Sequence, residues 1–150
     1  MIGQAHPVTL LPVTECTAKN LQDFDTIVIG ASIRYGKHNP RVIDFVNKNA
    51  QLLDSKANAF FSVNVVARKP EKNTPETNPY VQKFLNQTVW KPKQLAVFAG
   101  KINYPGYRFI DRTTIRLIMW ITNGPTDIQN VYEFTDWKRV EDFGRQVGRM

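Results

Sequence analysis

The run TIVIGAS over residues 26–32 constrains this chain more than any other stretch. Its β-branched apolar residues follow one another as in a strand buried on both faces, and such strands belong to parallel sheets covered by helices. Beyond it come Arg34, Tyr35 and Gly36, and then Pro40, where helical spacing begins with Val42, Ile43, Phe45, Val46, Ala50 and Leu53. A proline suits a first helical turn. Two similar runs are AFFSVNVV over residues 59–66 and LAVFAG over residues 95–100, with a short helix expected over 80–86 between them. A weaker strand over 8–13 is interrupted by Pro12. A last strand over 131–134 leads into a helix opened by Thr135, with Asp136 in its first turn. Strands alternating with helical segments predict an α/β fold with a mostly parallel sheet. Without an internal repeat or a change of composition, residues 1–150 read as one domain.

Composition removes several classes of function. Hydrophobic residues make up 42% and charged residues 22%, which excludes a disordered or collagen-like chain. No apolar run approaches the roughly 20 residues that span a bilayer, and no charged leader opens the chain. The expected location is therefore cytoplasmic. One cysteine, Cys16, excludes an internal disulfide, and two histidines far apart give no zinc motif. The net charge of +7 points to an anionic partner: nucleic acid, a phospholipid surface, or a ligand with carboxylates or phosphates. Nucleic acid is not expected, because the aromatic residues keep core periodicity instead of alternating with cations on a surface.

In open α/β sheets, ligands bind beyond the carboxyl ends of the strands. Loops 31–38, 67–72 and 101–107 would occupy that position, and each carries a basic residue. The segment 104–122 completes the pattern. Arg108, Arg112 and Arg116 recur every four residues and share one side of a helix, while Ile110, Thr114, Leu117, Ile118 and Ile121 lie largely on another. Such a helix can rest in a headgroup region with its basic side toward anionic lipid. Its alternative is a core helix with a solvated basic side.

The stretches IGASIRYGKH, FFSVNVVARKPEKNTPETNPYVQKFL, VFAGKINYPGYRFIDRTTIRLIM and YEFTDW resemble the bacterial quinone-dependent protoporphyrinogen oxidases, a flavodoxin-like family. The resemblance implies a flavodoxin-like open parallel sheet with a long insertion that contains the basic amphipathic helix. It further implies FMN as cofactor, and oxidation of protoporphyrinogen IX to protoporphyrin IX with menaquinone or ubiquinone as acceptor. On that basis Ser32, Ile33, Arg34, Tyr35 and Gly36 present amides to the flavin ring, with Tyr35 over one ring face. Asn64, Val65, Val66, Ala67 and Arg68 form the second flavin-facing loop, where Arg68 or Lys69 favours the reduced anionic flavin. Lys101, Arg108 and Arg112 are the expected cations for the substrate's propionates, and no side chain stands out as an essential base. The implied setting is the cytoplasmic face of the cell membrane, on an anionic membrane surface. The sequence departs from the family in lacking the first strand, the Ser/Thr- and Gly-containing phosphate loop and the first helix, so that Met1 falls where a second strand should begin. That departure predicts exposed strand edges and weak FMN binding by this chain alone. The competing functions are a flavodoxin-like quinone reductase or electron carrier, an inactive truncated fragment, and a basic binding module without catalysis.

Overall fold

Three parallel strands organise the chain: β1 (Thr26–Arg34), β3 (Ala57–Val63) and β4 (Gln94–Phe98). They belong to a computed structural model that describes residues 6–150; the expected family boundary at Met1 lies outside the described residues. A two-residue strand β2 (Lys37–His38) folds back antiparallel on the end of β1, giving the order β2-β1-β3-β4. The strands β5 (Lys101–Asn103) and β6 (Val131–Glu133) form a separate antiparallel pair. The α/β character and parallel core agree with the sequence expectation.

The helices are α1 (Ala18–Gln22), α2 (Pro40–Lys48), α3 (Ala50–Asp54), α4 (Pro79–Gln87), α5 (Phe109–Ile121) and α6 (Trp137–Val147). Their starts follow local chemistry. Asn39 and Asn78 each cap the helix behind a proline, accepting N–H donors that the first turn leaves orphaned. Asp136 caps α6 by accepting from the Arg139 N–H, so the opener is Asp136 and not Thr135 as expected. Residues 8–13 form no strand: they are largely exposed, and prolines at 7 and 12 withhold the donors a ladder requires. The run expected over 59–66 ends as a strand at Val63, and Val65–Arg68 turns as a short 3-10 helix.

The main core lies on one face of the sheet. Ile27, Ile29 and Ala31 of β1 meet Val42, Val46, Leu53, Phe60, Phe84 and Trp90 there. Phe60 and Phe84 stack with ring centroids 4.0 Å apart, and Trp90 meets Phe60 edge-on. On the other face Phe61 and Phe98 pack against Phe143 of α6. That helix covers β3 and β4 only. Val28 is therefore 41% exposed, and β1 is buried on one face instead of the two its sequence suggested. Gly30 sits under the Phe61 ring, which lies 2.3 Å from where a Cβ would be, so a side chain there would displace the ring. Along its outer edge β1 carries only β2, paired at Ile33 and Arg34. The rest of that edge has no strand partner among the described residues.

Candidate functional site at the carboxyl edge of the sheet

The parallel register brings Ser32, Val63 and Phe98 side by side, so the first two segments expected to face a flavin leave the sheet from the same edge. At the first, the chain turns back instead of running straight toward α2. Tyr35 (φ 50°) and Gly36 (φ 74°) form a two-residue reversal between β1 and β2 with both residues left-handed, the geometry that matches the twist of paired strands. Gly36 adopts it freely, with open space where a Cβ would sit. Tyr35 pays backbone strain, as a bulky residue at positive φ does. Its hydroxyl donates to the Asp111 carboxylate in the first turn of α5, which holds the phenol proton and pushes Tyr35 above the ordinary phenol range. The ring stays 72% exposed.

Behind the rim runs a buried polar chain that the sequence did not announce. His38 Nε2 lies 2.9 Å from Ser62 Oγ, and the Asn64 amide donates to Ser62 Oγ at 3.1 Å. Asn64 and Asn78 exchange amide hydrogen bonds at 3.3 and 3.1 Å, and Asn78 also donates to the Lys72 carbonyl. The Asn64 side chain is thus turned inward, and that residue can offer a ligand only its backbone. Asn78 ahead of Pro79 was legible as a helix cap, whereas its pairing with Asn64 across the intervening loop was not. Against the rings of Phe60 and Phe84, burial lowers the His38 pKa to about 4. An unfolded chain binds that proton near pH 6.5, so between those values it holds more protons than the folded one. Stability should fall as pH drops from 6.5 to 4, read as a falling urea midpoint, and His38→Gln should flatten that slope.

The other predicted residues divide sharply. Arg68 donates to the Val65 carbonyl and, at 3.0 and 2.8 Å, to the carbonyl and hydroxyl of Thr122, tying the second loop to the end of α5. Val66 is half-buried and Ala67 buried, so the second loop offers mainly backbone. Val65 packs into the cluster of Ile102, Tyr104 and Met119. Tyr104 is fully buried and donates to the Pro125 carbonyl, so it supports the rim instead of facing it. Arg112 spends its guanidinium on the carbonyls of Tyr104, Pro105 and Tyr107. Lys101 stands opposite Glu133 in the β5–β6 pair; hydrogen bonds from Thr135 first, and Lys101 with them, hold that carboxyl below the usual range. Arg108, the N-cap residue of α5, is exposed and makes no cap bond with its side chain.

Helix α5 is therefore tethered near both ends, Tyr35 to Asp111 and Arg68 to Thr122, across roughly 17 Å of helix. Its orientation matches neither expectation, because Arg112 turns inward while Arg108 and Arg116 stay exposed. Met119 and Ile115 point into the protein with Arg112 beside them, while Phe109, Ile110, Leu117, Ile118, Trp120 and Ile121 are exposed. Neither the basic-side-out helix nor the core helix of the sequence analysis describes it: the carbonyls of the 104–107 turn attract Arg112 inward, and the apolar side turns out. Trp137, the first residue of α6, is also 58% exposed. Beside α5, Thr113, Arg116, Leu117, Trp120 and Thr126 line an open groove of about 300 Å³.

The rim fits the ring half of a flavin site: an exposed aromatic face, an open reversal with unhindered space over Gly36, and a second loop ending β3 on the same edge. Among the described residues no strand leads through a Ser/Thr- and Gly-containing loop into a helix.

Two relatives are similar to this chain over most of its length. Protoporphyrinogen IX dehydrogenase [quinone] of Escherichia coli (strain K12) is 47% identical over 129 residues, covering 86% of this chain and 71% of the relative. A protein of the same name from Leishmania major is 46% identical over 123 residues, covering 82% of this chain and 53% of that protein. No solved structure matches. The sequence pattern of the flavodoxin domain matches residues 2–129, most of the chain including β1, β3, β4 and α5, and the chain belongs to the flavodoxin-domain family.

Proposed function

We propose that this chain oxidises protoporphyrinogen IX to protoporphyrin IX with a quinone, menaquinone or ubiquinone, as electron acceptor, and that FMN is the flavin it holds. The observation that carries this reading is the 47% identity, over 86% of the chain, to a relative whose name states both donor and acceptor. A bound flavin supplies the electron-transfer chemistry. The chain's own part is binding and orientation. Amides of Ser32 to Gly36 suit the polar edge of an isoalloxazine ring, and the strained, tethered Tyr35 offers its face. Backbone from Asn64 to Arg68 suits the second side, with the Arg68 charge close by although its hydrogen bonds are spent.

Porphyrinogen and quinone are both poorly soluble in water, which gives the outward face of α5 a purpose. No helix among the described residues is long and apolar enough to cross a membrane. A tethered helix with Phe109, Ile110, Leu117, Trp120 and Ile121 exposed on a chain of charge +7 suits peripheral contact with an anionic bilayer, apolar side inward. The site would then draw both partners from the lipid.

One experiment tests the reading. The chain is mixed anaerobically with FMN, protoporphyrinogen IX and anionic vesicles that contain menaquinone, while porphyrin fluorescence and flotation are followed together. Quinone-dependent porphyrin formation is expected, and Leu117→Glu should lower the vesicle-bound fraction about tenfold. NAD(P)H oxidation without porphyrin formation would replace the proposal with a quinone reductase. Flotation unchanged by Leu117→Glu would remove α5 from the membrane contact.

A further inference from the structure

Two arginines remain uncommitted at the rim, and their positions define a site. The hydrogen bond from Tyr35 to Asp111 presses the β1–β2 reversal against the first turn of α5. Arg34 immediately precedes Tyr35, and Arg108 lies three residues before Asp111, so both stand at the corner this bond creates. Both are exposed. The ion pairs among the described residues are those of Arg145 with Glu141 and Asp142, so neither Arg34 nor Arg108 has an acidic partner. The acid near them, Asp111, is engaged by the Tyr35 hydroxyl. Both guanidinium charges reach that hydroxyl and oppose the rise of its pKa. Across the hairpin Arg34 faces Lys37, a like-charge pair that costs stability and earns nothing in the fold. Arg112 and Arg68, by contrast, are consumed by backbone carbonyls and Thr122.

We infer that Arg34 and Arg108 form a two-cation clamp beside the exposed ring of Tyr35 for a tetrapyrrole dicarboxylate, one guanidinium for each propionate. The inference rests on the proposed substrate class and revises which cations serve it: Arg34 joins Arg108, and Arg112 and Lys101 drop out. Planar guanidinium forks suit carboxylates bidentately, which a lysine does not reproduce. Tyr35 supplies apolar aromatic surface between the two charges. Its strained backbone and its tether to Asp111 fix the spacing of the two backbone positions from which the guanidiniums extend.

The test compares protoporphyrin IX with its dimethyl ester, which keeps the macrocycle and loses both charges. Binding of each is measured by fluorescence for the full chain and for Arg34→Gln, Arg108→Gln, the double variant and Arg34→Lys; FMN affinity and porphyrinogen oxidation are recorded alongside. The chain should prefer the diacid, and each Gln substitution should weaken diacid binding about tenfold while leaving ester binding unchanged. Arg34→Lys should recover only part of the loss, and added salt should narrow the preference. Equal binding of diacid and ester by the unaltered chain, or diacid binding unchanged in the double variant, overturns the clamp. A chain that prefers the diacid through these arginines yet oxidises no porphyrinogen overturns the proposed function and leaves the clamp standing.

Discussion

Phe60→Ala should lower the unfolding free energy by about 3–5 kcal/mol. Phe60 is fully buried at the centre of β3, stacked on Phe84 at 4.0 Å with an interplanar angle of 2°, and met edge-on by Trp90 and His38. Removing the ring deletes its transfer free energy and also leaves a void. Phe84 comes from α4 and Trp90 from the segment beyond it, and neither can collapse into that space without leaving its own contacts. A domain of this size holds about 5–15 kcal/mol in all, so the variant should be marginal at room temperature. Urea unfolding followed by circular dichroism measures it. Phe61→Ala is the control: its half-buried ring lies on the opposite face against Phe98 and Phe143, so the loss should be smaller. A greater loss at Phe61 would mean that the main core is on the other side of the sheet.

Asn78→Ala should cost about 2–4 kcal/mol and should loosen the second loop selectively. Its Oδ1 accepts from the Tyr80 and Val81 N–H groups at the start of α4, and its amide donates to Asn64 Oδ1 and to the Lys72 carbonyl. Alanine therefore orphans two helix donors and leaves the buried Asn64 Oδ1 without its donor, while Asn64 Nδ2 keeps only Ser62 Oγ. Hydrogen exchange should rise over residues 65–73 more than in β1 or β4. Asn78→Asp separates the two roles. A carboxylate caps α4 at least as well, but it cannot donate to Asn64 or Lys72, so the loop should loosen while α4 stays protected. Equal exchange in both variants and the unaltered chain would mean that the amide pair does not hold the loop. Arg139, which reaches from α6 to the Asn73 carbonyl, would then be the remaining anchor.

Much of the architecture was written locally. A β-branched run identified β1, and the apolar runs AFFSVNVV and LAVFAG identified β3 and β4, because a short apolar run between polar turns has few other stable uses. Pro40 announced α2, and the caps that Asn39 and Asn78 supply ahead of Pro40 and Pro79 act within the same first turns. The errors arose where a partner had to be known. The β1 pattern cannot say that α6 covers only β3 and β4, so Val28 was taken as buried. The arginine row of α5 cannot say that a turn at 104–107 offers carbonyls to Arg112, so the sequence groups Arg112 with the exposed Arg108 and Arg116.

The candidate site divides in the same way. Sequence alone determined that strand-end segments around residues 32–36 and 64–68 would leave one parallel sheet, because register and right-handed crossover place strand ends together. Only the tertiary structure decided which side chains are left to act there. It turned Asn64 inward to Asn78, spent Arg68 and Arg112 on the ends and flank of α5, buried Tyr104, and left Tyr35, Arg34 and Arg108 exposed. The physical reason is that a strand or a cap is stabilised by neighbours a few residues away, whereas a polar side chain goes to whichever unpaired group the folded chain brings within reach.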